Sequence, residues 1–156
     1  MDDAFYQLWF AVRYIHVASV ALLTGGAVTL CALCVRRGGD GETMEAVLAA
    51  PVYEWMFWSL VGLTAVTGLS NLGLKGDGLL APETTWGRAL TTKLTAALVL
   101  LALSLVRTDF VIRCRAASAL RANARVRLVL GSLYGLTVAG LLVALWLGLG
   151  LAHGRY

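Results

Sequence analysis

Charge is scarce in this sequence. Asp, Glu, Lys and Arg make up 14% of its 156 residues, against 59% apolar residues and a mean hydropathy of +0.77. That leaves too little polar surface to cover a water-facing globule, so the chain reads as a membrane protein. Alternation of apolar and polar residues is missing as well, which excludes a membrane barrel of strands. Internal repeats, low-complexity linkers and a small-residue cleavage motif after the first apolar run are also lacking. That run is too long for a cleavable signal, carries His16, and is followed by Gly38, Gly39 and Asp40, so it should stay in the mature protein. Hydrolytic chemistry is not expected, because no nucleophile, base and orienter set occurs within the bundle, and enzymatic activity is not the leading expectation.

What is present is continuous apolar sequence. Four runs, 14–35, 55–74, 89–106 and 128–152, are each long enough to cross a hydrocarbon core of about 30 Å as a helix. The expected fold is all-α, with residues 1–156 forming a single four-helix transmembrane bundle. Small residues recur within the runs, at Gly25 and Gly26, Gly62 and Gly68, and in "GSLYG" from Gly131 to Gly135. They let helix backbones approach closely in lipid, where hydrophobicity supplies little pairing force. None of the nine acidic residues falls inside the four runs, so a proton-coupled carboxylate relay is not expected.

Basic residues set the orientation. Arg36, Arg37, Arg107, Arg113, Arg115, Arg121, Arg125 and Arg127 lie in the connections after runs one and three, whereas Arg13, Lys75, Arg88, Lys93 and Arg155 lie toward the other face. The positive-inside rule then places both termini outside, in a multi-pass protein of a bacterial inner membrane. The net charge of +4 is explained by an arginine-rich inner loop resting on anionic lipid headgroups, and nucleic acid is not an expected partner.

The outer leaflet collects the polar residues. His16, His153, Arg88 and Lys93 are all expected near it, with Arg13 and Ser19 sharing a helix face with His16 and Asn71 ending run two at the same level. Ionisable residues in a membrane are functional candidates because burying one without a partner is expensive. Plain readings stand beside this one: Lys93 snorkelling, Arg88 on lipid phosphate, His16 hydrogen-bonded in the core, His153 interfacial. At the inner end of run one, Cys31 and Cys34 in "CALC" lie about one turn apart and could present two thiolates to Cu(I), or else simply pack. Cys114 has no partner in sequence and is expected as a reduced thiol, without a disulfide framework.

These stretches resemble a known family. "YIHVASVALLTGG" resembles the first helix of the CopD domain, "LTAVTGLSNL" its second, "TTWGRALTTKL" the Gly-Arg and Lys-Leu start of its third, and "RLVLGSLYGLTVAGLL" its fourth. The HemJ-type membrane proteins are a more distant likeness, with a similar histidine in helix one and lysine in helix three. The CopD resemblance implies copper handling: transport or tolerance across the inner membrane, often beside a periplasmic copper-binding partner, with His16, Arg88 and Lys93 on the pattern. One departure is that Met1, Met44 and Met56 form no Met-xx-Met pair, so a copper route would lean on His16, His153, Cys31 and Cys34.

The rival expectation is redox. His16 and His153 could ligate a b-type haem whose propionates face Arg13, Arg88 and Trp86, with Lys93 as a further counter-ion or, when neutral, a ligand. A third reading is an accessory subunit packed by its small-residue faces into a larger membrane complex, and a homo-oligomer is also open.

Overall fold

The computed structural model describes residues 3–36, 40–73, 83–117 and 124–152. It contains four helices: α1 (Asp3–Val35), α2 (Asp40–Gly73), α3 (Thr85–Ala117) and α4 (Ala124–Ala152), with no strand among the described residues. All four are long and apolar enough to cross a membrane, as the continuous runs predict. Each helix outruns its apolar run, because helix-compatible polar residues such as Glu45 and Arg113 continue the backbone pattern beyond the hydrocarbon.

The termini of α3 show how local sequence sets a boundary. Thr84 Oγ1 accepts a hydrogen bond from the Gly87 amide at 2.9 Å, which is the N-cap geometry that satisfies one of the first unpaired amides. Within α2, Pro51 leaves the carbonyl one turn earlier without its usual helical donor, a defect that membrane helices tolerate when neighbours cover it.

α1 packs on α2 and α4, α3 packs mainly on α4 and less on α2, and α2 meets α4 across one diagonal. Successive helices run antiparallel. His16 therefore lies level with Thr67 and Lys93 level with Gly148 at one end of the bundle, and Cys31 lies level with Gly131 and Gly135 at the other. We refer to these as the His16 end and the arginine end. The bundle is inverted relative to a soluble protein: Leu8, Trp55, Leu69, Leu98, Leu142 and Trp146 point outward. That is the surface lipid requires.

Close approach depends on individual glycines. A Cβ on Gly26 would fall 2.5 Å from Cε2 of Tyr53 and 2.9 Å from Cε of Met56, so the Tyr53 ring occupies the space that any other residue would fill. From that seat Tyr53 donates its hydroxyl to the Leu23 carbonyl at 2.9 Å, tying α2 to α1. A Cβ on Gly131 would fall 3.2 Å from Cβ of Cys34, a tight fit, whereas one on Gly135 would meet Cys31 Sγ at an ordinary 3.8 Å, and the Cys31 thiol lies 3.8 Å from the Gly131 carbonyl.

Candidate functional site

Among the described residues two polar clusters lie inside the bundle, and the sequence reading identified only one of them. At the His16 end, the half-buried imidazole rests on Gly68, whose Cβ position is 3.4 Å from Cε1. Nδ1 is 3.1 Å from the Thr64 carbonyl and 3.0 Å from Thr67 Oγ1. A carbonyl can only accept, and the Thr67 hydroxyl donates its own proton to the Leu63 carbonyl at 2.7 Å. Nδ1 must therefore carry a proton, and in the neutral ring Nε2 holds the lone pair. A backbone carbonyl fixing one ring nitrogen is how metal-ligating histidines are oriented.

Lys93 reaches the same region from α3. It is half-buried at the same end of the bundle, and its Nζ is 3.3 Å from the Cβ position of Gly148 on α4. Thr64 adds a further feature: its Oγ1 is fully buried and has no hydrogen-bond partner. The other cations expected here diverge. Arg88 is exposed, because five residues along a helix from Lys93 turn it by about 140°. Arg13 is also exposed and stacks its guanidinium 5.2 Å from the Trp9 ring centre, one turn back on α1. Trp86 is half-buried at the start of α3, Ser19 donates within α1 to the Ile15 carbonyl, and Asn71 is half-buried near the end of α2. His153 lies outside the described residues.

The second cluster corrects two expectations. Glu54 lies inside α2 and Arg107 inside α3, so a carboxylate does sit within a span, and Arg107 belongs to the bundle interior and not to the inner loop. Arg107 is 0% exposed and Glu54 5%. The guanidinium donates through Nε to Glu54 Oε1 at 2.7 Å, through Nη2 to Oε2 at 3.1 Å and through Nη1 to Thr137 Oγ1 at 2.6 Å. Tyr134 donates to Oε1 at 2.9 Å and Thr108 to Oε2 at 2.5 Å, so four donors meet one carboxylate. That saturates the acceptor capacity of a carboxylate. Around the same guanidinium lie the rings of Phe57 at 4.2 Å, Tyr134 at 5.2 Å and Tyr53 at 5.4 Å. Trp58 extends the network by donating Nε1 to Thr108 Oγ1 at 3.0 Å.

The two clusters have opposite chemical character. The Glu54 and Arg107 network has its charges paired and its carboxylate acceptor sites filled, which makes it a brace joining α2, α3 and α4. The His16 cluster keeps a lone pair, an ammonium and an unpartnered hydroxyl. Only the second has capacity left for a ligand.

The sequence contained a signal for the brace. Ser104 and Thr108 flank Arg107 at helical spacing, and Tyr134 and Thr137 form a similar pair on α4. Cys31 and Cys34 share the α1 face turned to α4, and the described cysteines are all free thiols. Among the described residues, no three His, Cys, Asp or Glu side chains group closely enough to hold a metal ion. No family model, curated protein or solved structure matches the chain.

Proposed function

We propose that this membrane protein binds a b-type haem at the His16 end of its bundle and serves in electron transfer. His16 would supply Nε2 to the iron, and Lys93 would place its ammonium toward the propionate carboxylates. The observation that carries the reading is the Nδ1 contact with the Thr64 carbonyl, which leaves the opposite nitrogen with its lone pair. The donor set fits the group: one imidazole for a metal, one cation and one unpartnered hydroxyl for an anion, and no carboxylate among these three side chains. The bound group would supply one-electron chemistry. The chain would supply the ligand, the counter-charge and, through the buried brace below, a fixed spacing between α2, α3 and α4.

Copper handling is the second reading, favoured by the placement of Cys31 and Cys34 on one face at the arginine end. Beside His16, however, a bare cation would meet the charge of Lys93. Absorption spectra of detergent-purified protein, oxidised and dithionite-reduced, with metal analysis of the same sample, test both readings. A Soret band that sharpens on reduction and is lost in His16→Ala is the expected result. Bound copper with a featureless spectrum would replace the haem reading with the copper one. A sample with neither would leave the accessory-subunit reading.

A further inference from the structure

The Thr64 hydroxyl behaves unlike its neighbours. In this bundle Ser19, Thr24, Ser59, Thr67, Ser70, Thr91, Ser104 and Thr137 all turn their hydroxyls back onto the carbonyl four residues earlier. That is the ordinary way a hydroxyl is satisfied away from water. Thr64 Oγ1 is buried and makes no hydrogen bond, although its own carbonyl already holds His16 Nδ1. A buried hydroxyl left unpaired is unfavourable, and an isosteric apolar side chain would avoid that cost. An unpaired buried donor on the residue whose carbonyl orients an imidazole is what a site looks like when part of its hydrogen bonding belongs to a ligand.

We infer that Thr64 is a ligand-binding residue of the His16 site, its hydroxyl donating to an oxygen acceptor on the molecule that His16 and Lys93 hold. This rests on the haem reading above and extends it: the ligand is recognised from three helices, by an imidazole of α1, a hydroxyl of α2 and an ammonium of α3. The chemical class that satisfies the set is an anion with oxygen acceptors and a centre that takes a nitrogen ligand. A haem carrying free propionates belongs to that class.

The test compares wild type, Thr64→Val and Thr64→Ser, purified in detergent without haem and then titrated with haemin by absorbance. Thr64→Val keeps the shape and removes the donor. Its apo form should melt at the same temperature as wild type or higher, while its haemin dissociation constant rises about tenfold, the size of one hydrogen bond to a charged acceptor. Thr64→Ser restores the hydroxyl and should return the affinity to within about threefold of wild type. A haemin lacking free propionates, such as its dimethyl ester, should bind Thr64→Val and wild type alike if the acceptor is a propionate, and should still separate them if the acceptor is another oxygen on the iron side. Haemin binding to wild type with unchanged affinity in Thr64→Val would overturn the assignment of Thr64 alone. Wild type that binds haemin no better than His16→Ala would overturn the haem reading, and this inference with it.

Discussion

Replacing Arg107 with methionine removes three donated hydrogen bonds and leaves the Glu54 carboxylate in the bundle interior with only Tyr134 and Thr108 as donors. Breaking a buried pair in this way costs about 3–5 kcal/mol, because the remaining charge is no longer compensated. Glu54→Leu combined with Arg107→Met should recover most of that loss, since no charge then remains and the methionine thioether can rest on the Phe57 and Tyr134 rings that held the guanidinium. Recovery will be incomplete for an identifiable reason. Thr108 and Thr137 already share their hydroxyls with the Ser104 and Leu133 carbonyls, whereas Tyr134 has Glu54 as its acceptor and would be left with a buried hydroxyl worth about 1–3 kcal/mol. Adding Tyr134→Phe should remove that remainder and bring the triple variant close to wild type. Unfolding by SDS titration in mixed micelles, followed through the five tryptophans, measures each step. A loss below about 1 kcal/mol for Arg107→Met, or a double variant as unstable as the sum of its singles, would refute the brace.

Gly26→Ala should lower stability by about 1–3 kcal/mol, because the displaced atom belongs to a ring wedged between helices and not to the end of a flexible chain; the same SDS titration reads it. Thr84→Ala removes the cap of α3 and should cost about 1 kcal/mol, with local hydrogen exchange rising over the first turn of that helix. Changing Cys31 and Cys34 together to Ser should leave a haem spectrum unaltered, as both thiols lie at the far end from His16, whereas a fall in copper accumulation by cells would favour the copper reading.

Much of this architecture was legible because apolar length alone specifies spanning helices. That His16 and Lys93 fall at the same end of the bundle was legible too, since polar residues near the ends of apolar runs come to one side once the helices alternate. Arg88 was grouped with them wrongly by position along the chain, although the helical angle between Arg88 and Lys93 already sends them to different faces. Glu54 and Arg107 escaped for another reason. Each sits just past the edge of an apolar run, where hydropathy alone marks a boundary, and only pairing across helices makes an interior position tolerable. Thr64 could not be distinguished from the other hydroxyls at all, because what sets it apart is a missing bond.

The brace also has a consequence for how the chain enters the membrane. Of the four spans α2 is the least apolar, and it carries Glu54, a residue type that opposes insertion when alone. Its partner Arg107 lies 53 residues further on and Tyr134 80 residues further on. At roughly 5–20 residues per second, α2 must wait several seconds for its counter-charge and longer for its last donor. The helix would spend that interval against the insertion machinery or at the headgroups, and would settle into the lipid core as one unit with α3.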